Sequence, residues 1–571
     1  MASPSTPFVR ITKNSSEESE TSVSSTESII DASYPFRLGF PAPLPALPVP
    51  HSLCDENFPV SHDEIIREVT SLLDQRGISW GSVVVVSRRA SATVSDQRPT
   101  ILITAPAVKD DSWYLLVKDT QEYLVKCSLD KVCLEIYDPE SLKIPAHFPI
   151  EPEHPIVSVW QKLVKDIITV LAPLCWYSLS GVRRGYGNNP QSNPVTIVIT
   201  SKYPAHLSHT KRTIQLRCEQ YNLSKIEVCF LQVDTIFAAG GFRLPDEGRD
   251  FALSSDLSPG ASIGLSSEPR ATGSLGGKLI VRRGNEIHEL GVTNFHIVAS
   301  HQGLQGLTLK THRFEETGLI PNHAASLNVG LVSPSNFDAN FKRETIEHAL
   351  DSVRKCVEKL EEQQGTEHLN ETQETVRSKL QANMDAVNIE AQALNNFNRL
   401  TGTLWAGSGF RSRNSFGMDW ALISLPNSRS FLNKLPTSGE LAVLPPHIHA
   451  TVLFPDSGKV KECGSCEKGA VVFKHGRTTG LTQGTFNYVD SAVNFNGRKV
   501  SAWHVIGTHN VPFCDSGDSG SWLIDENGKW VGLLFACPFP SFTGDGYVIP
   551  VLELIEDIEA LVGGKVELPV D

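Results

Sequence analysis

Ser519 lies in the stretch Phe513-Cys514-Asp515-Ser516-Gly517-Asp518-Ser519-Gly520-Ser521-Trp522. Glycines at 517 and 520 let the chain turn tightly and let a substrate approach the backbone. Such a turn presents a hydroxyl and points the amides of Gly517 and Ser519 at one spot, where they can hold a developing oxyanion. A serine hydroxyl needs a base to act as a nucleophile, and the base needs a group to orient it. Two candidates precede it. His296 ends the run Glu289-Leu-Gly-Val-Thr-Asn-Phe-His296 and is followed by Ile297 and Val298. Asp419 opens Trp420-Ala-Leu-Ile-Ser-Leu425. An acid there is costly to bury unless it accepts hydrogen bonds from a positioned partner. Together the three could transfer an acyl group to water: Ser519 attacks, His296 takes and returns the proton, and Asp419 holds the imidazole.

The elements that must position these residues follow from periodicity. Leu275 to Val281 and Glu289 to Val298 read as strands joined by a turn at Arg283 to Asn285. Val471-Val-Phe-Lys-His-Gly-Arg-Thr-Thr-Gly-Leu-Thr-Gln-Gly484 alternates strand and glycine turns. Trp530 to Phe535 and Gly546 to Val551 read as further strands, and a helix over Leu552 to Leu561 closes the chain. Between His296 and Asp419, Ile346, Leu350, Val353, Val357 and Leu360 step by four and three, as do Leu380, Met384 and Val387 after a turn at Gly365. That spacing predicts an antiparallel helical hairpin inserted over 340–398. It either pairs with itself or a partner, or packs along the barrel.

The N-terminal half repeats a pattern. A helix is expected over Ile65 to Leu73, strands over Ser82 to Ser87 and Thr100 to Thr104, a helix over Trp113 to Val125, and a strand over Val132 to Tyr137. Val157 to Leu171, Val195 to Thr200, Leu207 to Tyr221 and Ile226 to Leu231 follow in the same order. Trp80 and Trp176, Val86 and Val182, Arg88 and Arg184, and Thr100 and Thr196 share one offset of 96 residues. The region therefore reads as a duplicated α/β unit, with copies at 58–143 and 144–233. Arg88-Arg89 and Arg183-Arg184 could meet an anionic ligand, but exposure at strand ends is the reading favoured. A Ser/Thr/Pro-rich tail and connector occupies 1–57, and a Gly/Ser/Pro linker 234–272.

The chain has 571 residues, 40% hydrophobic and 20% charged, which suits a soluble multidomain protein with ample core. The formal charge of −13, without a basic stripe, argues against nucleic acid as a partner. No apolar run reaches the length of a membrane span. Eleven scattered cysteines without a signal peptide suggest free thiols and an intracellular, cytoplasmic protein. Cys463-Gly-Ser-Cys466 is half a zinc motif with no second half, so neither metal nor cofactor is expected.

His296, Asp419 and Ser519 stand in the order and local settings of trypsin-like serine proteases. Thr293-Asn-Phe-His296 resembles that family's Thr-Ala-x-His, Asp419-Trp-Ala-Leu its Asp-x-Ala-Leu strand, and Gly517-Asp-Ser-Gly-Ser521 its nucleophile turn. The resemblance covers about 260–562. It implies a C-terminal all-β double β-barrel of chymotrypsin-like fold at 273–565, acting as a serine endopeptidase on protein or peptide substrates. The layout is similar to intracellular fungal and plant members with a long N-terminal region, such as the fungal endoprotease of amino-acid sensing. By that analogy 58–233 is a regulatory or prodomain-like region that associates with the protease, aids its folding and restrains it, with self-cleavage in the linker left open.

In the same family the residue six places before the nucleophile forms the base of the primary specificity pocket. Here it is Phe513, with Ala536, Cys537 and Gly546 as walls, which implies an uncharged pocket for small or apolar side chains. The family's secreted members pair the aspartate before the nucleophile with a cleaved amino terminus. Here that aspartate is Asp518, and its partner is left open between a new terminus, a side chain and backbone. Three rivals remain: a catalytically silent protease fold serving as scaffold, a chaperone-protease, and an enzyme that cuts only itself. Only 52 residues follow Ser519, few for the peptide-binding domain of a chaperone-protease.

Overall fold

The computed structural model describes residues 30–34, 36–42, 44, 51–54, 58–89, 97–108, 110–139, 145–187, 189–202, 208–236, 253, 256–299, 314–364, 371–425, 429–441, 454, 458–465, 467–495, 497–508, 511–539 and 543–569. The N-terminal tail to residue 29, most of the Pro-rich connector, much of the 234–272 linker, Gly365 and Cys466 lie outside them. The described residues form a multidomain α/β chain with two compact units, one holding those of 1–47, 51–87 and 98–142, the other those of 48–50, 88–97 and 143–571.

In the first unit one sheet runs in the order Asp31–Tyr34, Arg37–Phe40, Cys133–Tyr137, Gln97–Thr104, Ser82–Arg89 and His51–Leu53. Ser61 caps the helix His62–Gln75 by accepting from the Glu64 amide, satisfying one of the first-turn donors. That helix buries Ile65, Val69 and Leu73, and the helix Ser112–Lys126 buries Trp113, Leu116, Val117 and Leu124. Both stripes join Ile101, Ile103, Leu134 and Ile136 in one core. Arg88 is also buried, at 6% exposure, so it is not the exposed strand-end arginine its sequence suggested.

The second unit begins with the same order of elements: helix Pro155–Leu171, strands Trp176–Gly185 and Val195–Ser201, helix Ser208–Gln220 and strand Glu227–Gln232. In each segment the last two strands are parallel, with Ile101 opposite Leu134 in one and Ile197 opposite Val228 in the other. Helix Pro155–Leu171 turns Ile156, Trp160, Leu163, Ile167 and Leu171 inward, a stripe at helical spacing. Arg183 pairs with Glu151 at 2.8 Å.

Two rings of strands follow. Ser262–Leu265, Gly330–Val332, Leu400–Gly407, Ala421–Ser424, Glu286–Thr293 and Lys278–Arg283 are neighbours in turn. The residues leading into the last strand close the ring, since the Leu275 amide donates to Ala261 and the Gly260 amide to Leu275. The second six-stranded ring runs Val471–Gly476, Gly480–Phe486, Arg498–Gly507, Gly546–Pro550, Trp530–Ala536, Trp522–Asp525 and back to the first. Strand Gly480–Phe486 alternates buried and half-buried residues, as a strand with one core face must. Trp176–Gly185 extends this sheet by pairing with Ser491–Phe495, which neighbours Arg498–Gly507.

Helices Asn336–Gln364 and Glu371–Asn396 pack on each other. Near their roots Ala339, Ile346 and Leu394 are buried, while Val353, Val357, Leu360, Leu380 and Met384 further out are half-buried. The helix Val551–Val562 is not the last element. A strand, Lys565–Glu567, follows it and pairs with Lys278–Arg283. Asp557 of that helix accepts from Trp420 Nε1 at 2.8 Å and from Arg411 Nη2 at 2.6 Å, fixing the residue next to Asp419.

Candidate active site

His296 sits in the single helical turn Phe295–Val298 that ends strand Glu286–Thr293, and Asp419 lies two residues before strand Ala421–Ser424. These strands are paired, with Thr293 opposite Ala421, so the sheet register brings the two side chains together. Asp419 Oδ2 is 2.5 Å from His296 Nδ1, and Asp419 Oδ1 accepts the His296 backbone amide at 2.8 Å. Asn294 Nδ2 donates to the Asp419 carbonyl. The carboxylate is wholly buried, yet each of its oxygens has a donor. That satisfies the condition under which a buried acid is tolerated.

The Ser519 turn packs on the same scaffold. The Ser274 amide donates to the Ser519 carbonyl at 2.8 Å, and Ser274 Oγ donates to the Gly517 carbonyl at 3.1 Å. A Cβ on Gly273 would overlap the Ile297 side chain and come within 3.0 Å of the Ser519 oxygen. A Cβ on Gly520 would come within 2.7 Å of Thr293 Oγ1. The serine turn therefore abuts the residues flanking His296, with only hydrogen atoms' room between them. Ser519 itself is 3% exposed. Gly517 and Gly520 have φ of 94° and 98°, the left-handed region that favours glycine. Among the described residues no acceptor within the protein takes the amides of Gly517 and Ser519.

The Asp518 side chain meets the second ring, where Lys474 Nζ lies 3.1 Å from Oδ2. Thr479 Oγ1 donates to the same oxygen at 2.6 Å, and the Asp515 amide at 3.0 Å. The amides of Thr478 and Thr479 donate to Oδ1 at 2.7 and 3.1 Å. Gly476 is required beside this cluster, because a Cβ there would strike the Asp518 carboxylate. Sequence reasoning did not assign Lys474 this place. Its signal was a lysine within the apolar run Val471-Val-Phe-Lys474, where a cation must find a buried partner.

Of the expected pocket residues, Phe513 and Cys537 join one apolar cluster with Cys514, Leu534 and Val548. A Cβ on Gly546 would meet Leu534, Phe513 and Cys514 within 3.2 Å. Ala536 packs with the larger core cluster instead. Lys474 Nζ stands 5.5 Å from the centre of the Phe513 ring. Cys514 and Cys537 are free thiols. Hydrogen bonding with Cys514 and then burial push the Cys537 thiol well above its ordinary value, which keeps it neutral.

Beside this cluster lies a second acid that sequence reasoning missed. Asp545, next to Gly546, contacts His147 Nδ1 at 2.6 Å and His504 Nε2 at 3.2 Å. Burial would raise its carboxyl, but the charge and hydrogen bond of His147, followed by those of His504, hold it below the usual carboxylate range. His147 belongs to the short strand Ala146–Phe148, which pairs with the end of Trp176–Gly185.

A buried carboxylate gripping a histidine, with a serine turn beside it, is the equipment of a serine peptidase. The chain belongs to peptidase family S64, whose model matches residues 184–562. That match takes in the last three elements of the second α/β segment, Val195–Ser201, Ser208–Gln220 and Glu227–Gln232, as well as both rings of strands. Among solved structures, Thermobifida fusca protease A is 12% identical and matches over 55% of this chain and 100% of its own, with a TM-score of 0.27. Cellulomonas bogoriensis chymotrypsin is 13% identical over the same shares, also with a TM-score of 0.27. No curated protein matches the chain. No helix among the described residues is long and apolar enough to cross a membrane.

Proposed function

We propose that this serine peptidase is an endopeptidase with a chymotrypsin-like double barrel, in which Ser519 is the nucleophile, His296 the general base and Asp419 its orienting acid. The observation that carries the reading is the two-point grip of Asp419 on His296, through Nδ1 at 2.5 Å and the backbone amide at 2.8 Å. That grip leaves Nε2 as the ring atom to accept the serine proton. The amides of Gly517 and Ser519 stabilise the tetrahedral oxyanion, each donor contributing about 3 kcal/mol. Lys474 takes the role of the amino terminus that secreted relatives of the fold direct at the acid before the nucleophile. The turn is therefore formed without chain cleavage.

Phe513, Cys514, Cys537 and Gly546 give an uncharged primary pocket for a small or apolar side chain. The segment 144–233 serves as a regulatory, prodomain-like element within the same intracellular protein. Its support is strand Trp176–Gly185 pairing with Ser491–Phe495 and His147 reaching Asp545 beside that pocket.

Digestion of a denatured-proteome peptide library by the purified chain, read by mass spectrometry, tests the reading. Cuts after small or apolar residues, absent with Ser519→Ala, are expected. Cuts that persist in Ser519→Ala, or a preference for Lys, Arg, Asp or Glu, contradict it.

A further inference from the structure

The base of the helical hairpin reaches the serine turn through a buried relay. Asp338 lies in the first turn of helix Asn336–Gln364, and its side chain and that of Arg477 have no exposure to solvent. Arg477 Nε is 2.8 Å from Asp338 Oδ2 and 3.1 Å from Oδ1, and Nη2 also bonds the carboxylate. Ser262 Oγ donates to the same acid, and Phe337 lies under the guanidinium at 5.2 Å. From the other edge of the guanidinium, Nη1 donates to Thr478 Oγ1 at 3.0 Å, and Thr478 Oγ1 donates to the Ser516 carbonyl at 2.6 Å. The Arg477 backbone makes a second path: its amide donates to Ser274 Oγ at 2.8 Å, and Ser274 Oγ donates to the Gly517 carbonyl. A Cβ on Gly517 would come within 2.6 Å of both Arg477 Nη1 and Thr478 Oγ1. The guanidinium is thus packed against Gly517 and Thr478, with its plane set by Asp338 at the hairpin root.

We infer that Arg477 is a positioning residue for the Gly517 amide, and that Asp338 makes the helical hairpin part of the catalytic scaffold. The inference rests on the reading of Gly517 as an oxyanion donor. The peptide between Ser516 and Gly517 can rotate while the neighbouring chain stays in place, and rotation would carry the Gly517 amide away from the oxyanion. Thr478 Oγ1 holds the Ser516 carbonyl at one end of that peptide, and Arg477 fixes the threonine hydroxyl. A glycine at φ 94° gains no restraint from a side chain of its own, so the restraint must come from its surroundings. A guanidinium suits the task because its planar fork binds a carboxylate in two places and still offers a donor on its far edge. A lysine there could not span both contacts. The hairpin is therefore coupled to the turn through its root, whatever its outer half meets.

The test compares Thr478→Val with the double variant Arg477→Met/Asp338→Leu in the full chain. The double variant removes both buried ions, so neither is left unpaired. Turnover of a peptidyl p-nitroanilide per titrated active site is measured with inhibition by the trifluoromethyl ketone of the same peptide, whose hemiketal oxygen occupies the oxyanion position. Each variant is expected to lower kcat by about 10- to 100-fold with KM within about twofold, since small misplacements near the reacting atoms have such effects. The inhibition constant should rise in proportion, while the pH profile set by His296 stays in place. A brace that only stabilises the fold would lower the melting temperature and leave kcat and the inhibition constant unmoved, overturning the inference. If the double variant does not fold, Thr478→Val decides alone. Hydrolysis that survives Ser519→Ala would mark failure of the underlying site instead.

Discussion

Lys474 and Asp518 form an ion pair of 3.1 Å in which neither side chain reaches solvent. Removing two charges from water is repaid only when geometry is good and the remaining lone pairs are satisfied. Here two threonine amides, one threonine hydroxyl and the Asp515 amide complete the carboxylate's shell. The pair anchors the residue immediately before Ser519, so the Ser519 turn is tied to strand Val471–Gly476. Lys474→Met would strand a buried charge and is expected to destabilise the protein by about 3–5 kcal/mol. Thermal unfolding checks the stability, and active-site titration should show loss of the reactive serine. Activity that needs a freshly cleaved amino terminus, and is abolished by blocking that amine, would contradict the role of Lys474.

Asp419→Asn keeps the shape of the side chain and an oxygen for the His296 amide, but presents the imidazole with the wrong partner. In the Ser-His-Asp template the corresponding change lowers kcat by about 10⁴ through the wrong tautomer. A similar loss is expected here, with a much smaller change in KM. A fall of less than about tenfold would separate Asp419 from the chemistry and leave it a structural acid.

Asp545 gives a pH signature. Its carboxyl is held below the usual range, so the stability it contributes is present above the ordinary carboxylate pKa of about 4 and is lost as pH falls below that value. Asp545→Asn should therefore destabilise the protein at neutral pH, and the gap from wild type should narrow in strongly acidic solution. Melting curves across that range test the sign. A gap that widens on acidification would mean that His147 and His504 are not what holds the charge.

The strand and turn settings of His296, Asp419 and Ser519 were legible because each short motif joins a polar residue to its own strand or turn. The hairpin was legible for a related reason, since Ile346, Leu350, Val353 and Val357 write their period locally. Partner choice across long separations left no such mark. His147 and Asp545 are 398 residues apart in the chain, and Arg477 and Asp338 are 139 apart. A buried Lys474 announced that a partner existed but not which acid it was. The pairing of Trp176–Gly185 with Ser491–Phe495 was hidden because exposed and covered sheet edges share the same β-branched alternation. The final strand Lys565–Glu567 was missed because three residues, with Val566 the one apolar member, carry too little pattern to separate a strand from a tail.

The most direct measurement is labelling of the purified full chain by a fluorophosphonate probe, followed by mapping of the modified peptide. Ser519 acting as nucleophile predicts one modified residue, Ser519, and loss of peptide hydrolysis in step with labelling. It also predicts that Ser519→Ala is neither labelled nor active while melting like the wild type. Undiminished labelling of Ser519→Ala, or modification of a different serine with activity intact, would contradict the account.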